Sequence, residues 1–343
     1  MGGSGVKKNG HRIITFGEIM LRLNPAGYLR LVQSDSLEAS FSGAEANVAV
    51  SLACFGEDAA FVSRVPGHEI GDCAVNAMRR YGVDTRYMLR GGERLGVYYV
   101  EKGASQRRTA VIYDRAHSAF AEAAETDFDW ERIFYGADWF HFSGITPALG
   151  GALPEICMNA CRYAAKAGIK VSCDINYRKK LWTPEQAGAV LSGYMPYVNV
   201  CIATLDEAGE VFGIRSDAGD ADKAAEDTAR GLRERFGCEK IALITNREES
   251  AFDCDWGGML YAGGKACHSK RYKLHIVDRV GGGDSFGAAL IHAELKSMPP
   301  QTAVEFAAAA SCLKHSIEHD FNLITEDEVL ALMEEGTFGG VKR

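Results

Sequence analysis

Short apolar runs alternate with longer segments in which small and apolar residues recur at helical spacing, and this rhythm governs most of the chain. The run Ile13-Ile14-Thr15-Phe16-Gly17 reads as a buried strand, and polar, turn-rich sequence follows through Ser36. Residues 44–55 have the spacing of a helix broken by Gly56. Residues 59–65 predict a strand closed by Pro66-Gly67, and 72–81 a helix that stops at Gly82. From Trp139 the pattern predicts strands over 139–142, 170–173, 198–203 and 241–245, with helices over 153–167, 184–191 and 221–236 between them. A hairpin over 252–261 and 264–268 follows, and helices over 284–295, 302–315 and 326–335 close the chain. Such alternation builds a mainly parallel sheet covered on both faces.

Between Leu89 and Ala116 the rhythm breaks. Residues 96–101 and 109–113 are strand-like, with only a polar turn containing Gly103 and Ser105 between them, so the pattern predicts an antiparallel hairpin. Inserted into a βα series, such a hairpin projects from the sheet's edge, where it can act as a lid. The expected organisation is one α/β domain over 12–343, a three-layer αβα sandwich with a small β-sheet lid formed by about 19–37 and 89–117. A disordered segment or tag over 1–11 precedes it, and no internal repeat or low-complexity linker is seen.

Composition narrows the function classes. The 343 residues are 47% hydrophobic and 24% charged, which suits a folded chain rather than a disordered one. A net charge of -8 without a long Lys/Arg cluster argues against a nucleic-acid partner. No apolar run of about 18 residues is present to span a bilayer, and Met1 to Lys8 lacks the apolar centre of a secretory signal. The ten cysteines are scattered, which points to reduced thiols in a cytoplasm. Cys157 and Cys161 share a helical face without a partnering pair of ligands, so they read as core thiols and no structural metal is expected.

The chemistry concentrates at Asp278-Arg279-Val280-Gly281-Gly282-Gly283-Asp284-Ser285-Phe286, which runs straight into a predicted helix. Consecutive glycines allow close backbone approach, and free amides at a helix start, with the positive end of its dipole, form an anion site. Phosphoryl transfer needs such preorganised donors, and Asp284 could take the proton of an attacking hydroxyl. Alone, the segment reads more readily as a loop with an N-cap aspartate. It is neither a Walker loop nor a dinucleotide fingerprint.

The segment resembles the C-terminal signature of the ribokinase-like (PfkB) carbohydrate kinases, Asp-Thr-x-Gly-Ala-Gly-Asp, with Arg279 in place of Thr and Gly282 in place of Ala. Ser42-Gly43-Ala44-Glu45-Ala46-Asn47-Val48-Ala49 resembles the family's N-terminal signature, with Ser42 in place of Gly. The resemblance runs from Ile13 to the C-terminal helix and implies a ribokinase-like fold with ATP and Mg²⁺ as cofactors, and it leaves room for a monovalent cation. It also implies a small-molecule sugar partner, no nucleic acid or membrane partner, and a homodimer through the lid. Asp284 then matches the catalytic base and Gly281, Gly282 and Gly283 the anion hole, while Gly43 and Asn47 match positions holding sugar hydroxyls. Glu207 matches the acidic residue that organises Mg²⁺ through water, with Thr204 standing where the family has Asn. Thr204, Thr245, Arg247, Gly281, Gly283, Ser311 and His315 fall where the family contacts ATP; the helix carrying Ser311 and His315 is equally a small-residue packing helix.

Three further segments, 142–149, 311–316 and 320–322, look closest to the 2-keto-3-deoxygluconate kinases. Tyr98 and Arg115 on the lid, and Arg178 in Asp174-Ile175-Asn176-Tyr177-Arg178, resemble the residues with which those enzymes hold a sugar acid. A guanidinium at the C-terminal end of a strand suits a carboxylate. Alternatively, Arg178 binds only ATP phosphates, and Tyr98 and Tyr113 pack within the lid with Arg115 solvated. The resemblance implies phosphorylation of 2-keto-3-deoxygluconate at its 6-hydroxyl, with fructose, 5-keto-2-deoxygluconate or another furanose as alternative acceptors. A non-catalytic sugar sensor would be expected to lose Asp284, and an oxidoreductase to carry more than the single glycine of Gly17-Glu18-Ile19-Met20.

Overall fold

A computed structural model describes residues 10–335. Of the segment expected to be disordered, residues 1–9 lie outside the described residues, while the backbone of His11 donates to Glu57 Oε2 at 2.7 Å. Fourteen strands are present among the described residues. They are β1 (Arg12–Phe16), β2 (Met20–Asn24), β3 (Glu38–Ser42), β4 (Asp58–Val65), β5 (Met88–Arg90), β6 (Gly96–Glu101), β7 (Ala110–Asp114), β8 (Trp139–Ser143), β9 (Lys170–Asp174), β10 (Val200–Thr204), β11 (Lys240–Glu248), β12 (Asp253–Ala262), β13 (Lys265–His268) and β14 (Tyr272–His275). Ten of them form one sheet in the order β13-β12-β11-β10-β9-β8-β1-β4-β5, with β14 beside β12. From β11 to β5 every pairing is parallel; only β12 to β14 run antiparallel.

Side-chain alternation along these strands feeds two separate cores. Ile13, Phe61, Trp139 and Ile202 pack with the helices Ala44–Cys54, Glu69–Arg80, Gly282–Leu295 and Pro300–Lys314. Ile14, Val62, Phe140 and Cys173 pack with the helices Leu153–Lys166, Pro184–Tyr194 and Ala221–Phe236 on the other face. The three-layer αβα sandwich is therefore built as the pattern predicts.

The periodicity misses β2, β3, β5, β14 and the helix Leu205–Phe212. β5 has three residues and β3, Glu38-Ala39-Ser40-Phe41-Ser42, is mostly polar and half exposed, so neither carries an apolar alternation. The helix does have a readable signal, since Thr204 and Glu207 form a capping box around its first turn.

The lid is a second sheet in the order β3-β2-β6-β7, so the predicted 96–101 and 109–113 hairpin is present but two further strands complete it. It rises from the C-terminal ends of the main sheet, because β1 leads into β2 after only Gly17-Glu18-Ile19. Arg22, in the middle of β2, has no exposed surface. Its guanidinium pairs with Asp278 at 2.6 Å and with Asp320, both on the main body, and donates to Asn24 Oδ1 at 3.2 Å. Ser42 of β3 and Tyr98 of β6 donate to the other Asp320 oxygen at 2.8 and 2.7 Å. Removing one member of a buried ion pair leaves an uncompensated charge. Arg22→Ala should accordingly lose about 3–5 kcal/mol of unfolding free energy, read from urea titration by circular dichroism.

Candidate active site

Moving outward from the sheet centre, chain order runs β1, β4, β5 on one side and β8, β9, β10, β11 on the other. The direction of winding thus reverses between β1 and β8, and in open α/β sheets ligands bind outside the carboxyl ends at such a point. A cavity of about 410 Å³ lies there, between strand ends and lid. Its walls include Gly43, Asn47, Tyr98, Arg115, Arg178, Thr204, Glu207, Gly281, Gly282, Gly283 and Asp284, so most of the predicted site residues meet in one place.

The glycine run is the N-terminus of the helix Gly282–Leu295, with Gly281 as its N-cap. Gly281 sits at φ +90°, a left-handed conformation that costs an L side chain, and a Cβ there would overlap the Asp320 carbonyl. The first amides of the helix lack intrahelical acceptors and face the cavity's anion-binding end. Asp284 stands one turn in, and Asn47 Nδ2 donates to its Oδ2 at 2.7 Å, leaving the second oxygen for a ligand. Enclosure raises the Asp284 carboxyl to about 7; the Asn47 bond and the charge of Arg178 oppose this, and Glu45 and Asp320 add to it. A base with that affinity for protons is matched to a neutral-pH hydroxyl.

Two residues predicted to touch ATP instead support this turn from behind. Ser311 is fully buried and donates to Gly282 O at 2.6 Å. His315 is buried too, and its Nδ1 lies 2.6 Å from Ser311 O. A Cβ on Gly282 would come within 2.5 Å of the imidazole, so the ring presses on the turn rather than lining the cavity. Burial lowers its pKa to about 4 and keeps it neutral. Thr245 and Arg247 are not among the residues lining the cavity. Strand alternation turns Ile244 and Asn246 toward the cavity, while the Thr245 hydroxyl accepts from Arg271 at 2.9 Å on the other side.

The acidic residues divide by partner. Glu207 accepts from the Tyr177 amide at 2.8 Å and the Thr204 amide at 2.8 Å, so its carboxylate caps a helix and holds the β9 loop while facing the cavity. Asp174, absent from the sequence-predicted site, accepts from the Asn176 amide at 3.1 Å. Its pKa is pushed well up by burial and by the charges of Glu207 and Asp284. No cluster of three or more His, Cys, Asp or Glu able to cage a metal exists among the described residues. An acidic wall short of positive charge nevertheless fits Mg²⁺, which is usually held by few carboxylates, waters and ligand phosphates. Glu45, buried, accepts from the Ser143 amide at 2.9 Å and hydroxyl at 2.6 Å and from Thr146 at 3.0 Å, which is a structural role.

The predicted acid-binding residues differ in availability. The Tyr98 hydroxyl is committed to Asp320, and its ring stacks on Tyr113 at 5.9 Å. Arg115 is buried against Glu18, donating from Nε at 2.8 Å and from a terminal nitrogen, and its guanidinium lies over the Tyr113 ring. Nothing local in the sequence marks Glu18 as the partner of Arg115, which stands just past the end of β7. Arg178 is exposed and lines the cavity, its carbonyl accepts from the Leu181 amide at 2.8 Å, and its guanidinium makes no side-chain hydrogen bond or ion pair among the described residues. A second opening of about 1060 Å³, lined by Arg115, Arg178, Lys179 and Lys180, adjoins this cavity under the lid.

Comparison with known proteins agrees with the geometry. The model of the pfkB family of carbohydrate kinases matches residues 11–318. The crystal structure of a 2-dehydro-3-deoxygluconokinase from Thermotoga maritima is 46% identical, superposes with a TM-score of 0.93, and is covered over 98% of its length by 95% of this chain. A 2-dehydro-3-deoxygalactonokinase from Haloferax volcanii is 32% identical over 95% of this chain and 98% of its own. A 5-dehydro-2-deoxygluconokinase from Clostridium perfringens is 24% identical over 95% and 94%.

If Asp284 accepts the proton, kcat/KM should fall as pH drops through about 7, the value of its carboxyl, by about tenfold per unit below it. Asn47→Ala removes a bond that lowers the Asp284 pKa, so the acid limb of the pH–rate profile should move to higher pH. Asp284→Asn should cost at least about a hundredfold in kcat at the optimum.

Proposed function

This chain belongs to the pfkB family of carbohydrate kinases, and from that premise we propose that it transfers the γ-phosphoryl group of ATP to the 6-hydroxyl of 2-dehydro-3-deoxygluconate. The O–P bond to ADP breaks as the bond to the sugar oxygen forms, and the hydroxyl proton passes to Asp284. The observation that carries this reading is one cavity lined by a base raised to about 7 and by two arginines, Arg115 and Arg178. The similar proteins are named as gluconokinases and a galactonokinase, an aldonate stem that denotes an acceptor bearing a carboxylate. A carboxylate gains from Arg178 what a neutral hydroxyl cannot, a charge-assisted and forked contact.

In this mechanism Asn47 aims Asp284 at the acceptor oxygen, and the amides of Gly281 to Gly283 receive the phosphoryl charge. Glu207 and Asp174 would hold Mg²⁺ through water, and the ion supplies neutralisation of phosphate charge. Arg115 and Tyr98 join the lid to the acceptor end, so lid closure orients the acid and excludes water as a rival acceptor. Whether a monovalent cation assists turns on Lys314, at the back of the glycine turn. A homodimer through the lid is supported by the outer strand β7, where Ile112 and Tyr113 are 53% and 39% exposed. No disulfide joins any of the ten cysteines among the described residues, which supports a reducing cytoplasm.

The decisive assay offers ATP and a panel of acceptors. 2-Dehydro-3-deoxygluconate should give the highest kcat/KM, ahead of its 4-epimer, 5-dehydro-2-deoxygluconate and fructose; faster turnover of fructose would overturn the sugar-acid reading. Arg178→Ala should raise KM for the acid about tenfold or more while leaving KM for a neutral ketose near its original value.

A further inference from the structure

Lys314 ends the helix Pro300–Lys314 and has no exposed surface, though it bears a charge. Its ammonium donates to the carbonyls of Asp278 at 3.2 Å and Ile317 at 3.3 Å. Its Cε is 3.2 Å from where a Gly281 Cβ would stand, so the group sits immediately behind the anion-binding turn. Burial lowers its pKa from the ordinary lysine value and Arg22 adds to this, while the carboxylates of Asp278, Asp320 and Asp284 favour the charged form. Lys102 reaches Asp278 only at 3.8 Å and pairs with Glu318 at the surface.

Arg22 and Lys314 therefore balance Asp278 and Asp320 within one buried cluster. Without Lys314 a net negative charge would lie directly beneath the surface that must receive phosphate, with little water to screen it. The two carbonyls would also lose the donor that draws the Asp278 strand end to the turn after the helix. We propose that Lys314 is a positioning residue whose ammonium acts as a built-in monovalent cation, bridging the Asp278 and Ile317 carbonyls and neutralising the carboxylates behind Gly281. A free alkali ion does not fit there, because the oxygens it would need are already occupied by the ammonium. The inference rests on reading the glycine turn as the phosphate site, and not on which sugar is phosphorylated.

The test begins with the unmodified protein. Its kcat should be the same, within about twofold, in tetramethylammonium, potassium and ammonium salts at equal ionic strength, as a buried ammonium leaves no vacancy for a free ion. Stimulation of several fold by potassium or ammonium would overturn the proposal. Lys314→Ala should lower kcat at least about tenfold with little change in KM for the sugar, and ammonium, methylammonium or potassium ions should restore part of the loss. Lys314→Met fills the space with an uncharged chain of similar length, so it should show the loss with weaker rescue. An alanine variant with full kcat, or folded variants whose loss no small cation reverses, would overturn the proposal. Calorimetric titration with ATP alone separates the two readings: wild-type protein that binds no ATP contradicts the kinase assignment. Equal ATP affinity and equal turnover in wild type and Lys314→Met contradict only the role of Lys314.

Discussion

Four buried charges, Arg22, Asp278, Lys314 and Asp320, tie this structure together. Two of them flank the glycine turn, one sits behind it, and one comes from the lid. Arg22 is an interior residue of a lid strand, so the lid is moored to the body by an interaction that tolerates little displacement in a low-dielectric setting. The same two carboxylates that hold Arg22 shape the turn: Asp278 accepts from the Val280 amide at 3.1 Å, and the Asp320 backbone packs on Gly281. Lid position and anion-hole geometry thus share one set of contacts, and a change in either is felt by the other.

The active cavity has the opposite character, with acids outnumbering the cations that face them. Asp174, Glu207 and Asp284 look into one space, and enclosure lifts Asp174 and Asp284 above the usual carboxylate range, with the charges of Glu207 and Asp284 adding to it at Asp174 and those of Glu45 and Asp320 at Asp284. A carboxyl raised to about 7 is a poor anion but a serviceable base. The cost of holding it there is met by the packed scaffold around it: the Asn47 bond from the neighbouring helix and the Ser311 and His315 side chains that brace Gly282. Among the cations of the cavity, the Arg178 guanidinium is left open while Arg115 is already matched by Glu18, so the two arginines are unequal in what they can offer an incoming acid.

Legibility in the sequence followed the range of the interaction. Elements whose side chains alternate between two cores were readable because each residue's exposure is set by its own strand or helix. Asp284 and Gly281 to Gly283 were readable for a related reason, since an anion site at a helix start is a local construction. Where partners lie far apart in the chain, no spacing marks them. Arg22 and Asp320 meet across 298 positions, and Arg115 and Glu18 across 97, so neither pair left a trace in the pattern. Ser311 and His315 were placed at the nucleotide because the helix borders that region, yet only packing reveals that they face inward to Gly282.

By itself, then, the amino-acid order determined the αβα layering, the lid hairpin, and a glycine turn at a helix start followed by an acid in its first turn, all set by periodicity and by local backbone geometry within a few residues. The tertiary structure decided which acids share a cavity, which arginine remains free, and how the lid is fastened. Charge and burial are properties of neighbourhoods in space. A glycine run specifies where an anion can bind, but the proton affinity of Asp284 depends on Asn47, Glu45, Arg178 and Asp320, which folding alone brings around it.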